Sequence, residues 1–247
     1  MEAFDFNLAL FMIFGLAIGS FLNVIILRVP KGESISFPAS HCPKCGKKLK
    51  FYHNIPLLSW IFLGGKCAYC KEKISLQYPL VELLTSILFA LVYIKSQNTT
   101  HCIILGTLFA LLLALSIIDL RYKAVPDVIS LPALLISFFA RDFLNSFQDA
   151  LLFAGGFTVL RMLVSWIVKK EAMGEADIII AGIIGGVLGI KLGLAAIYIS
   201  ALIALPAFLI VGKRGFHLPF IPFLTLGMFI TWLLDTNILE LLGKIYE

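Results

Sequence analysis

The stretch "ALFMIFGLAIGSFLNVIIL", residues 9 to 27, decides the fold class, because it carries no charge from end to end. An α-helix rises about 1.5 Å per residue, so a run of this length crosses roughly 30 Å of hydrocarbon. A secretory signal would have a shorter apolar region behind a basic leader. Here Glu2 and Asp5 come first and no small-residue cleavage site follows, so the stretch reads as a first transmembrane helix that is retained.

The rest of the chain has the same character. Of its 247 residues, 60% are hydrophobic and 14% charged, and the mean hydropathy is +0.98, which excludes an ordinary soluble domain. Apolar runs are expected to form spans near 8–27, 78–95, 101–118, 128–141, 150–168, 177–190, 193–211 and 217–235. Clusters such as "KSQNTT", "RYKAVPD" and "GKRG" mark breaks between them. The reading is an all-α polytopic membrane protein of about eight transmembrane helices. Two of these, 128–141 and 177–190, are short enough to be tilted or re-entrant.

Lys and Arg in the connections set the orientation. With the amino terminus outside, the inward segments hold Arg28, Lys31, Lys44, Lys47, Lys48, Lys50, Lys66, Lys71, Lys73, Arg121, Lys123, Lys169, Lys170, Lys213 and Arg214, fifteen of the twenty basic residues. Lys95, Arg141, Lys191 and Lys244 fall outside, and Arg161 lies within the fifth span. The formal net charge of +5 then reflects topology and an anionic bilayer, so nucleic acid is not an expected partner.

Residues 28–77 form the one long connection, and they contain four of the five cysteines. Cys42 and Cys45, then Cys67 and Cys70, make C-x2-C, twenty-one residues, C-x2-C. Two such pairs supply four thiolates for a tetrahedral zinc site. Disulfides are the alternative, which a cytoplasmic position opposes. A closed four-sulfur site leaves no position for substrate, so the zinc is expected to be structural. His41 and His53 read as surface residues and Cys102 as an apolar filler. Between the cysteine pairs, "FYHNIPLLSWIFLGG" (51–65) is too apolar for a solvated loop and too short to span. It is expected either to lie against the membrane face or a neighbouring helix, or to form the core of the zinc lobe.

The fifteen acids can be surveyed completely. Glu2, Asp5, Asp142, Asp149, Asp235, Glu240 and Glu247 fall at the outer side, and Glu33 and Glu72 in the zinc loop. Glu82, Asp119, Asp127, Glu171, Glu175 and Asp177 fall in the inner half. Asp119 ends the third span and Asp177 opens the sixth, so topology alone brings both to one membrane depth. Carboxylates there are expensive and face the bundle interior or water. Two sharing a site do not both ionise easily, so one holds a proton while the other activates water. Helix ends suggest Asp177 as base and Asp119 as acid. Asp127 after Pro126, and Asp177 itself, also suit a first-turn role at a helix start.

These residues resemble the type IV prepilin leader peptidases, aspartyl endopeptidases and N-methyltransferases of the bacterial inner membrane. The likeness runs through "GSFLNVIILRVP" (19–30), the cysteine pairs framing "NIPLLSW" (54–60), "ISLQYPLVELLT" (74–85), "DLRYKAVPD" (119–127), "EAMGEAD" (171–177) and "PFIPFL" (219–224). The resemblance implies Asp119 and Asp177 as catalytic aspartates, Asp177 closing a G-x-G-D block that begins at Gly174 and has Ala176 in place of its second glycine. It implies cleavage of prepilin and pseudopilin leaders after a glycine at the cytoplasmic face. Methylation of the new amino terminus from S-adenosylmethionine is implied in the same way. The expected organisation is a first helix (1–27), a zinc-binding loop associated with methyl transfer (28–77) and a peptidase bundle (78–247). Asn23 and Glu82 are expected either to border a methyl-transfer site or to serve interhelical hydrogen bonds, with Arg161 a further partner for Glu82. No strand-glycine-helix unit for a nucleotide cofactor is visible. Gly15, Gly19, Gly185 and Gly189 read as close helix contacts, and residues 236–247 as an interfacial helix. An intramembrane aspartyl protease with other substrates, or an ion-coupled transporter, are the competing readings.

Overall fold

The computed structural model describes residues 6–96, 98–170, 173–211 and 219–246. Glu2, Asp5, Glu171, Lys213, Arg214 and Glu247 lie outside that set. The described residues are helical, with two isolated bridges, His41 to Lys48 and Lys66 to Lys73, and no strand. In chain order the helices are α1 (Phe6–Arg28), α2 (Leu58–Phe62), α3 (Gln77–Ser96), α4 (Thr99–Tyr122), α5 (Asp127–Ser137), α6 (Phe143–Val168), α7 (Glu175–Val211), α8 (Ile221–Leu233) and α9 (Asp235–Tyr246).

Five helices, α1, α3, α4, α6 and α7, are long and apolar enough to cross a membrane. The pair α8 and α9, bent by 82°, makes six if it counts as one span. The eight expected spans therefore contract. Residues 128–141 shrink to the eleven-residue α5, only about 16 Å long, which does not reach across the hydrocarbon. The two segments expected at 177–190 and 193–211 join into α7, whose 37 residues would extend about 55 Å if straight. It is not straight: Gly189 takes φ 73° and ψ −175°, a left-handed region closed to most side chains, and interrupts the helix. The close helix contact expected at Gly189 is thus replaced by a break, beside which lies the guanidinium of Arg141.

The chain divides into two compact units, Met1–Ala110 and Leu111–Glu247. In the first, α1 packs along α3 through small residues. A Cβ on Gly15 would stand 2.8 Å from the Ser86 Cα, and one on Gly19 2.7 Å from the Glu82 Cα. Ser86 donates to the Met12 carbonyl at 3.0 Å, one turn before Gly15. In the second unit, Gly185 brings α7 against α6, where a Cβ would meet the Asp149 carbonyl at 2.6 Å. Gly227 of α8 likewise faces the Ala196 carbonyl of α7, at 2.7 Å from a Cβ position. Without a hydrophobic driving force inside lipid, close backbone approach of this kind holds helices together.

Candidate active site and metal centre

Asp119 lies in the last turn of α4, where its side chain is buried. Its Oδ2 accepts the backbone N–H of Ile221, the first residue of α8, at 3.3 Å. That amide is free to donate outward because the first N–H groups of a helix have no partner within it. Pro222 follows in the first turn, where a proline fits. Close by, the Ser116 hydroxyl meets that of Thr225 at 2.8 Å, tying the same two helices one turn deeper.

Asp177 is in the first turn of α7 and partly buried. Its Oδ2 accepts the N–H of Gly174 at 3.1 Å, reaching back across the helix start as the third residue of a capping box does. Ala176, between them, is an ordinary helical residue without positive φ. A second glycine is therefore not required by the backbone at that position, and alanine suits a helix better. Asp177 lies within electrostatic reach of Asp119. Two carboxylates 58 positions apart in sequence thus share one neighbourhood, each held by an amide at a helix start. The helix-end argument keeps its basis for Asp177, in the first turn of α7, and loses it for Asp119. Asp119 sits at the carboxyl end of α4 and at the amino end of α8 at once.

Asp127 is exposed at the first position of α5, consistent with a first-turn role. Arg161 pairs with Glu175 at 3.4 Å. Glu82 is buried, and its Oε2 accepts the N–H of Leu57 at 2.8 Å. Leu57 has φ 59° and ψ −51°, strained for a leucine, and the carboxylate is what its amide donates to. Asn23 is also buried, donating to the carbonyls of Gly19 at 3.3 Å and Tyr78 at 3.1 Å and accepting from Gln77 Nε2 at 3.4 Å. The bonds with Tyr78 and Gln77 join α1 to the start of α3, while that to Gly19 stays within α1. The sequence contained the residues of these links but not the pairing of Glu82 with Leu57.

The four cysteines converge. Their sulfurs lie within 4.8 Å of one another, and those of Cys42 and Cys70 are 3.8 Å apart. Four sulfurs each about 2.3 Å from one tetrahedral ion stand about 3.8 Å from each other, so the cluster suits a metal such as zinc. The two halves are built alike. In one, Gly46 donates to the Cys42 carbonyl at 2.9 Å and Cys42 to the Lys47 carbonyl at 3.1 Å. In the other, Lys71 donates to Cys67 at 3.1 Å and Cys67 to Glu72 at 2.8 Å. The residue after each second cysteine is left-handed, Gly46 at φ 68° and Lys71 at φ 60°. Backbone amides of Cys70 and Tyr69 aimed at the Cys67 sulfur lower that thiol, whereas at Cys70 an amide of Glu72 is outweighed by burial and the neighbouring sulfurs, and that thiol is raised. Lys47 stands over the Tyr69 ring at 5.3 Å, joining the halves. His41 and His53 bond elsewhere, to the Ala39 carbonyl and the Lys50 amide.

The comparisons with known proteins follow this division. Residues 13–96 match the family model described as Bacterial Peptidase A24 N-terminal domain, and residues 106–209 that of the Type IV leader peptidase family. The chain belongs to the type IV leader peptidase family. Among its relatives is the type 4 prepilin-like proteins leader peptide-processing enzyme of Escherichia coli O78:H11, 36% identical over 86% of this chain and 88% of the relative. The prepilin leader peptidase/N-methyltransferase of Neisseria gonorrhoeae is 34% identical, covering 94% and 92%. That of Bacillus subtilis strain 168 is 30% identical, covering 94% and 96%. No solved structure matches the chain.

Proposed function

We propose that this multi-pass membrane protein removes the leader of prepilins and pseudopilins by aspartyl proteolysis and N-methylates the residue so exposed. The observation that carries the proteolytic reading is the meeting of Asp119 and Asp177, each fixed by a backbone amide. In the hydrolysis one carboxyl holds a proton and the other is ionised. The ionised group removes a proton from water as its oxygen attacks the scissile carbonyl carbon, while the protonated group gives its proton to the carbonyl oxygen. The resulting diol then collapses: the C–N bond breaks, the nitrogen takes a proton and the diol loses one, leaving a carboxyl and an amine. The two aspartates exchange protons and titrate as a pair, so each role belongs to the dyad.

In this reading the cleft opens on the cytoplasmic side of a bacterial inner membrane with the amino terminus outside, an orientation supported by the basic residues of the connections. Cys42, Cys45, Cys67 and Cys70 would hold a zinc ion, which would staple the 28–77 lobe without offering a site to substrate. Gly185 and Gly186, in the glycine-rich "AGIIGGVLG", face Asp149, Phe153 and Ser137 and so serve helix packing, while methylation from S-adenosylmethionine is supported by the relatives described as N-methyltransferases. The organisation into a first helix, a lobe associated with methyl transfer and a peptidase bundle from residue 78 is part of this reading.

The test is cleavage of a prepilin-like peptide in detergent by Asp119→Asn and Asp177→Asn chains. Both are expected to lose turnover while keeping their fold, and near-native turnover in either sinks the dyad. Cleavage of unrelated membrane peptides at equal rate would favour a broader intramembrane protease.

A further inference from the structure

The segment between the two cysteine pairs does not form a core for the zinc lobe. Phe51 is 83% exposed and Phe62 84%, with Ile61 and Leu58 at 63% and 52%. Water is a poor surrounding for four large apolar side chains so close together in one short stretch. Two observations say what covers them. The first is depth. Glu82 is only five residues past the start of α3, about 8 Å along its axis, and a helical side chain leans toward the amino end. Its 2.8 Å bond to the Leu57 amide therefore holds α2, which begins at Leu58, level with the first turns of a span. A 20-residue helix is about 30 Å long and only just crosses the hydrocarbon, so those turns lie at the membrane boundary. The second is charge: seven lysines between Lys44 and Lys73 are exposed, against the single carboxylate of Glu72. A lobe that carries exposed cationic groups together with exposed apolar side chains at that depth complements anionic headgroups over acyl chains.

We infer that Phe51, Leu58, Ile61 and Phe62 insert into the lipid leaflet next to the start of α3, making the zinc lobe a membrane-docked element fixed by the Glu82–Leu57 bond. The lobe thereby has three attachments to the bilayer: its two chain ends, which continue into α1 and α3, and this apolar face.

The experiment uses the full chain in nanodiscs of mixed anionic and zwitterionic lipid. Trp60, Trp166 and Trp232 are replaced by Phe, and a single indole is introduced by Phe62→Trp or, as a reference in water, Lys44→Trp. Phospholipid brominated in the upper acyl chain is expected to remove about half or more of the Phe62→Trp emission, while aqueous iodide leaves it unchanged. Lys44→Trp is expected to behave in the opposite way. Iodide quenching of Phe62→Trp without bromolipid quenching overturns the proposal. So does shielding that arises only when a prepilin-like peptide is added, because the face would then serve a polypeptide. Hydroxyl-radical footprinting of the unaltered chain decides the matter even if the tryptophan replacements disturb the lobe. Phe51 and Phe62 should then oxidise as slowly as Phe21 of α1, and oxidation as fast as that of His41 refutes lipid contact.

Discussion

Gly19→Ala adds one methyl group at the tightest point between α1 and α3. Its Cβ would sit 2.7 Å from the Glu82 Cα and 3.1 Å from the Val81 carbonyl. Ordinary carbon contacts are about 3.5–4.0 Å, so the helices must part by about 1 Å. The obstructing atoms are mostly backbone, which no rotamer change relieves. Overfilling of this kind costs about 1–3 kcal/mol, against a gain of up to about 1 kcal/mol for alanine over glycine in a helix. The net expectation is a loss of about 0–2 kcal/mol against the native chain and of about 1–3 kcal/mol against a control that has the propensity gain without the clash. Gly156→Ala in α6 is the matched control, because nothing lies within 4 Å of its Cβ position. It should gain up to about 1 kcal/mol from helix propensity alone. Reversible unfolding by SDS titration in mixed micelles measures both. A Gly19→Ala chain as stable as the Gly156→Ala chain would refute the close approach of α1 and α3.

Asp119→Asn retains an oxygen to accept the Ile221 amide, whereas Asp119→Ala leaves that buried donor unpaired. Both should lose about 10²–10⁴ in peptide turnover, and only the alanine variant should also lose about 1–3 kcal/mol in the same titration. Glu82→Leu is expected to free the strained Leu57 and speed proteolysis of the 28–77 lobe; Glu82→Gln, which keeps an acceptor, should not. Replacing Cys42 and Cys67 by Ser should abolish zinc binding, measured by metal analysis, and make the lobe protease-sensitive, and a strong chelator should do the same to the native chain. Gly174→Ala should keep turnover within a few-fold of native in the peptide assay, since its Cβ would meet only the Asp177 carboxylate, at the ordinary contact distance of 3.4 Å.

The parts legible in the sequence were those whose signal is local. Cysteine spacing announces a metal cluster because a two-residue turn dictates where paired sulfurs point, and the sulfurs of Cys42, Cys45, Cys67 and Cys70 do converge. Apolar run length announces a span, which is why α1, α3, α4 and α6 lie close to where they were expected. Between the segments expected at 177–190 and 193–211 the chain forms no loop: it stays helical apart from Gly189, whose conformation breaks α7 close to the expected boundary. That Asp119 and Asp177 come within electrostatic reach agrees with the shared membrane depth expected for them. The Ile221 amide beside Asp119 was not legible, because backbone donors have no sequence signature and 102 positions separate the pair. The same holds for Leu57, which became a partner of Glu82 through a strained backbone that its side chain does not advertise.

The bond from Ile221 to Asp119 also bears on how such a protein is made. Asp119 leaves the ribosome about a hundred residues before its partner amide does, and Asp177 more than forty before. Until α8 has been inserted, the first aspartate has no helix start to hold it, so the dyad stays incomplete while most of the chain is already in the membrane. On the proposed reading of Asp119 and Asp177 as the catalytic pair, proteolysis would begin only when synthesis is nearly over.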